Sequence, residues 1–186
     1  MSSLKNKSVV VLAAMVCAFA ACSPALNWRE IRPAGSGAVA LFPCKPDRFT
    51  RSVVLGSEKL QMVLNSCAAD GATYALSHAE LADAAHLNAA LEAMHAAAAS
   101  NLGGSASKVA PLVVPGMAPH VLAQRWAVQG KPGLGKTDHD KTENNTVKQQ
   151  FAVFTRGLRV YQATVVGKTL DATAVDTFFG SLQLPP

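Results

Sequence analysis

One change of hydrophobic period, at Ala84, limits the possible folds of this chain more than any other feature of its sequence. Before it, short segments of alternating apolar and polar residues are typical of β-strands. After it, apolar residues recur at spacings of four, three, four and four, as on one face of an α-helix: Leu87, Leu91, Met94, Ala98 and Leu102. Asp83 is a suitable N-cap and Gly103-Gly104 a stop, which predicts a helix over residues 84–101 lying on a sheet.

Strand patterns lie on both sides of this helix. Those before it cover residues 38–42, 51–55, 59–67 and 73–78. Those after it cover residues 109–114, 120–129, 146–155 and 158–166, and a short helix over residues 171–179 follows. This order predicts the α+β class, with a predominantly antiparallel sheet packed with one long helix and one short C-terminal helix.

The N-terminal segment has the features of an export signal. Lys5 and Lys7 precede an uncharged apolar run over residues 9–21. Its length of about 13 residues is typical of a signal peptide, whereas a membrane-spanning helix needs about 20. We therefore predict a signal peptide over residues 1–21.

Cys22 follows small residues and resembles the lipobox cysteine of bacterial lipoproteins, which is diacylated and becomes the N-terminus after cleavage. Phe19 stands where the lipobox usually has an aliphatic residue, so ordinary signal-peptidase cleavage near residues 20–21 is the alternative. Ser23, rather than aspartate, favours the outer membrane over the inner one in such lipoproteins. The resemblance implies lipidation at Cys22, with the protein facing the periplasm and held to the membrane by its lipid.

The remaining chain divides into a tether and one domain. Residues 22–37 are rich in proline and glycine and predict a tether, in which Trp28 and Ile31 dock onto the domain or the membrane interface. Residues 38–186 are sufficient for a single α+β domain. The net charge of +5 includes two signal-peptide lysines, leaving 5 − 2 = +3 scattered along the mature chain. This excludes the clustered basic face of a nucleic-acid-binding protein.

Cys44 and Cys67 remain as a pair once Cys17 is assigned to the signal peptide and Cys22 to the anchor. An even pair in an oxidising compartment predicts a disulfide. Neither cysteine has a nearby Cys or His at the spacing of a zinc site. No Cys-x-x-Cys redox motif is present either.

The segment from Gly130 to Thr137 matches the phosphate-loop pattern through Gly130, Gly135, Lys136 and Thr137. A phosphate loop needs a helix N-terminus directly behind it and an unbroken series of backbone donors. The polar residues that follow do not predict a helix, and Pro132 removes one donor. We interpret the match as chance, and predict no nucleotide, metal or other cofactor.

Residues 130–145 are then a long polar hairpin loop between two strands, and the best candidate for contact with a partner. Asp138-His139-Asp140 within it offers oxygen ligands for a hard cation, but three adjacent residues do not complete a coordination shell.

No catalytic constellation is recognisable. Ser77 and His78 are adjacent in a strand, which places their side chains on opposite faces, and no Gly-x-Ser-x-Gly elbow is present. His86, Glu92 and His95 are predicted on the solvated side of the long helix. An enzyme would require His78 or His120 beside a nucleophile in a polar pocket.

Three segments resemble the PsbP/Mog1-like group of domains: Val39-Ala40-Leu41-Phe42-Pro43-Cys44-Lys45-Pro46, Tyr74-Ala75-Leu76-Ser77 and Asp176-Thr177-Phe178-Phe179-Gly180-Ser181-Leu182-Gln183-Leu184. They also resemble small proteobacterial lipoproteins with a Phe-Pro-x-Lys-Pro phrase. The resemblance implies a PsbP/Mog1-like sandwich that serves as an accessory or binding module. The expected function is a non-enzymatic, lipid-anchored envelope protein with a surface for another envelope protein. A small-ligand-binding lipoprotein and a hydrolase are the alternatives.

Overall fold

The computed structural model describes residues 26–131 and 146–186. Seven strands form one sheet in which all neighbours are antiparallel. Their spatial order is β3 (Asp47–Leu55), β4 (Glu58–Ala69), β5 (Ala72–Glu80), β9 (Arg159–Gly167), β8 (Val147–Arg156), β7 (Gln124–Gly130) and β6 (Ser107–Pro111). A separate two-stranded sheet pairs β1 (Arg29–Ile31) with β2 (Ala40–Phe42). The predicted α+β class with a mostly antiparallel sheet is confirmed.

Two helices accompany the sheets. A 3₁₀ turn at Ala84–His86 continues into α1 (Leu87–Ser100), a helical stretch of 17 residues. The side chain of Asp83 accepts the N–H of Ala85 at 2.8 Å, as the predicted N-cap requires. The short helix α2 (Ala172–Gly180) begins in the same way, with Asp171 accepting the N–H of Ala174 at 2.7 Å.

The two faces of the large sheet are covered differently. On one face α1 packs Leu91 and Met94 against the sheet. On the other, α2 and β2 cover the larger part of the core, whose buried aromatic side chains are Phe42, Tyr74, Phe154, Tyr161, Phe178 and Phe179. The central strand β8 has consecutive buried apolar residues from Phe151 to Phe154 because both of its faces are covered.

Three predicted strands have different bounds or partners. Of the predicted strand 38–42, only Ala40–Phe42 form β2, which lies in the small sheet rather than the large one. Residues 120–123 form a turn instead of a strand, because His120 Nδ1 accepts the N–H of Leu122 at 3.1 Å. The predicted strand 109–114 lies earlier, as β6, since Leu112 and Val114 leave the sheet to enter the core.

The predicted tether contacts the domain from residue 26 onward. Residues 29–31 pair with β2, and Trp28 packs edge-on against Tyr74 with ring centroids 6.0 Å apart. Trp28 and Ile31 therefore dock onto the domain, since both are partly buried and pack against the main core. The predicted signal peptide and Cys22 lie outside the described residues. Within those residues, no helix is long and apolar enough to cross a membrane.

The predicted disulfide is present. Cys44, just after β2, is bonded to Cys67 of β4, with Cα atoms 6.0 Å apart. The bond joins the small sheet to the large one, and Cys67 is itself part of the buried core.

Candidate functional site: an open sheet edge and its neighbouring groove

The two edges of the large sheet differ in their protection. The edge strand β6 has five residues, a register shift between Lys108 and Ala110, and a proline at its end. Short length, a bulge, lysine and proline are the devices by which proteins prevent an edge from pairing with another strand. The β6 edge is therefore blocked.

The opposite edge strand, β3, has nine residues and pairs continuously with β4 from Asp47 to Leu55. No strand of the described residues lies on its other side. Its first six residues are all exposed, and Phe49 and Val54 are 56% and 66% exposed. A long, regular edge that carries exposed apolar side chains is the part of a sheet most able to accept a further strand.

The turn between β3 and β4 determines which backbone groups face outward. Gly56-Ser57, with Gly56 at φ +61°, joins Leu55 to Glu58. A two-residue turn of this kind makes its closing pair a hydrogen-bonded pair, and bonded and non-bonded pairs then alternate along the ladder. Counting back from Leu55, the backbone N–H and C=O groups that point away from the sheet belong to Arg48, Thr50, Ser52 and Val54.

The open edge carries a small positive charge. Asp47, Arg48 and Arg51 give β3 a formal charge of −1 + 2 = +1. Because successive side chains of a strand point to opposite faces, Arg48 and Arg51 flank the edge from both sides. Arg48 pairs in register with Asn65, whereas Arg51 lies over the face that α1 covers.

A groove lies between α1 and the part of the sheet next to β3. We call it the α1 groove. It has a volume of about 220 Å³ and includes Arg51, Val53, Met62, Leu64, Ser77, Met94, Ala97, Asn101, Gln162 and Thr164 among its lining residues. The groove exists because one helix, about 10 Å in diameter, is much narrower than seven strands spaced about 4.8 Å apart.

A third polar region lies at the turn between β8 and β9, where a cavity of about 470 Å³ is lined by Glu80, Arg156 and Arg159. Arg159 donates to Glu80 at 2.5 Å, and Tyr161 donates its hydroxyl hydrogen to the carbonyl of Ser36 at 2.7 Å. Arg156 donates to the carbonyls of the C-terminal segment. These groups satisfy one another, so the region ties the loop at Ser36 and the C-terminal residues Leu184 and Pro185 to the sheet.

Among the described residues, the histidines predicted as possible catalytic groups form no hydrogen bond with a nucleophilic side chain. His78 is 5% exposed beside Tyr161, on the face opposite Ser77. Burial lowers the pKa of His78, and the charges of Arg159 and Arg48 lower it further. His120 is used in its local turn.

The prediction of a solvated face is wrong for His95. Its ring packs 4.6 Å from Trp126 and 5.4 Å from Phe151, and its Nε2 is buried without a partner. Burial also lowers the pKa of His95. His86 does lie at the surface, where its Nδ1 is 2.7 Å from a carboxylate oxygen of Glu58.

Most of the phosphate-loop pattern lies outside the described residues, as do Asp138-His139-Asp140. Gly130 ends β7 in register with Val147 of β8, so the segment between them joins two paired strands. A Cβ atom at Gly130 would lie 1.9 Å from the carbonyl oxygen of Leu102. Close packing against Leu102 therefore accounts for a glycine at this position. No group of three or more potential metal ligands is found among the described residues.

The sequence did not predict the open edge or the α1 groove. The alternation in β3 is visible only from Arg51 onward, because Asp47 to Thr50 are polar or exposed on both faces. The one available signal was the pair of arginines beside Phe49, which is unusual in a buried strand. Comparison of the chain with protein-family models, curated proteins and solved structures gives no match.

Proposed function

We propose that this protein is a non-enzymatic, lipid-anchored envelope protein that binds a partner by strand addition to β3. The observation that carries the proposal is the contrast between the two sheet edges: β6 is blocked, and β3 is open along nine residues. An extended segment that adds to such an edge gains main-chain hydrogen bonds, and its alternate side chains supply specificity.

The partner segment that fits this edge is extended and acidic. Its backbone would bond to the outward groups of β3 at Thr50 and Ser52. Its side chains would alternate between the two faces, so carboxylates on each face would lie near Arg48 and Arg51. Exposed Phe49, between the two arginines, and Val54, beyond Arg51, favour apolar residues at the facing positions of the partner.

The N-terminal features support the location of this function. A lipid at Cys22 would hold the domain at the periplasmic face of the outer membrane, with the partner another envelope protein. The resemblance to PsbP/Mog1-like accessory modules is consistent with a binding role. No nucleic acid or nucleotide is required by this proposal.

Photo-cross-linking in living cells tests the proposal. A photoreactive residue replacing Ser52 should cross-link to a specific envelope protein, and the same residue at Lys108 on the blocked edge should not. Thr50→Pro removes an outward N–H that β4 does not use, so it should abolish the cross-link while the sheet remains paired.

Thr50→Ala is the matched control, because it removes the same side chain and keeps the N–H group. The Ala variant should retain the cross-link. Equal cross-linking by the Pro and Ala variants, with both shown to be folded by circular dichroism, would contradict strand addition at β3.

A further inference from the structure

We propose that the α1 groove binds a small amphipathic anion, namely a monocarboxylate with a short apolar chain. This site is separate from the backbone groups that strand addition would use. It depends on side chains of β3, β4, β5, β9 and α1 that face one another across the groove.

The apolar part of the groove provides the space for the chain. Met62, Leu64 and Met94 form its apolar surface, and Ala97 leaves the gap that a larger helical residue would fill. Methionine side chains adapt to ligands of varied shape. The volume of about 220 Å³ is below the roughly 300–1,000 Å³ of drug-sized sites, so the groove accepts one short chain.

The polar part of the groove is unusual for a sheet face that packs against a helix. Gln162 Nε2 donates to Thr164 Oγ1 at 3.1 Å, and Ser77 Oγ donates to the backbone carbonyl of Gln162 at 3.4 Å. The hydroxyl of Thr164 remains a donor and the side-chain carbonyl of Gln162 remains an acceptor. A core interface would hold apolar residues here, whereas a ligand with a polar end uses these groups.

Charge determines the class of ligand. Arg51 is the one charged residue among those that line the groove, and it forms no ion pair with any described residue. An anionic end is therefore favoured at Arg51. The last carbonyls of α1 carry partial negative charge, which directs that end to the strand side of the groove. Guanidinium and carboxylate form short, charge-assisted hydrogen bonds.

Isothermal titration calorimetry of octanoate and of octanol tests this inference. The protein is the mature chain from residue 22 with Cys22→Ser, so that no acyl chain of its own competes. Octanoate should bind at one site, and Arg51→Gln should weaken it by about tenfold because a charge-assisted bond is lost. Octanol should be unaffected by that change. Arg48→Gln, on the other face of the same strand, is the matched control and should leave octanoate binding unchanged.

A second pair of variants tests the location. Ala97→Leu fills the groove and should abolish octanoate binding, whereas Ala96→Leu on the neighbouring exposed position should not. Failure of the parent chain to bind octanoate, or equal binding by the Ala97→Leu and Ala96→Leu variants, would overturn the inference. Thr50→Pro should leave octanoate binding unchanged, so this inference and the strand-addition proposal succeed or fail separately.

Discussion

His78 and His95 each place an imidazole against the sheet, on opposite faces. His78 lies beside Tyr161 in the core that α2 and β2 cover, and His95 packs on Trp126 under α1. Each has one buried ring nitrogen without a hydrogen-bond partner among the described residues: Nδ1 of His78 and Nε2 of His95. A neutral ring fits these sites, since a charged one would lose its hydration.

This burial predicts that acidification destabilises the protein. The pKa values of His78 and His95 are lowered in the folded state. As the pH falls below the ordinary histidine pKa of about 6.5, the unfolded chain therefore binds more protons than the folded one. The contribution of the two neutral imidazoles to the free energy of unfolding is full above that pH and is lost as the pH falls below it. His86 has the opposite sign, because its hydrogen bond to Glu58 raises its pKa. The free energy of unfolding should therefore fall between about pH 7.5 and about pH 5.5.

Urea unfolding at the two pH values measures this effect. His95→Phe keeps an aromatic ring beside Trp126 and removes the titrating group, so the fall should be smaller than in the parent chain. His86→Gln is the control and should not reduce the fall. An unchanged fall in His95→Phe would show that His95 does not contribute to it.

Among the elements, those with long apolar periodicity were predicted from the sequence and those with short or polar patterns were not. The helix beginning at Ala84 and strands β4, β5, β8 and β9 follow their patterns, because the positions that face the core require apolar residues. The early half of β3 is exposed on both faces and leaves no such pattern. Periodicity also does not report pairing partners, so the pairing of β2 with β1 instead of with the large sheet was not predicted.

The Cys44–Cys67 disulfide fixes β2 and the small sheet to β4. Replacing both cysteines by alanine should lower the free energy of unfolding by about 3 kcal/mol, because the unfolded chain regains the freedom of a closed loop. Chemical unfolding of the parent and double variant measures the difference. We expect the double variant to be less stable than the parent, and the fall in its free energy of unfolding between about pH 7.5 and about pH 5.5 to be unchanged. Thiol labelling of the unfolded, unreduced parent at Cys44 and Cys67 would contradict the disulfide.

At the scale of the whole molecule, the sequence predicted the class but not the pairing of β5 with β9, which joins the two halves of the large sheet. The blocked and open edges arise only when β9 inserts between β5 and β8, which places β3 and β6 at opposite ends. The α1 groove likewise depends on where one helix crosses a wide sheet. Sites of this kind are built from residues far apart in the chain, such as Arg51, Met94 and Gln162.

The proposed lipidation of Cys22 predicts how the protein is distributed in the cell. The parent should fractionate with membranes, and Cys22→Ser should not, because the acyl chains supply the hydrophobic attachment. Mass spectrometry of the mature N-terminus checks the chemistry directly. An unmodified N-terminus near residues 20–21 would instead show ordinary signal-peptidase cleavage and contradict lipidation.

Amide hydrogen exchange of the recovered complex tests the central proposal, that the partner adds a strand to β3. On binding, the outward amides of Arg48, Thr50, Ser52 and Val54 should exchange more slowly, because each that bonds to the added strand loses access to water. Slower exchange confined to other parts of the chain, with these four amides unchanged, would contradict strand addition at β3.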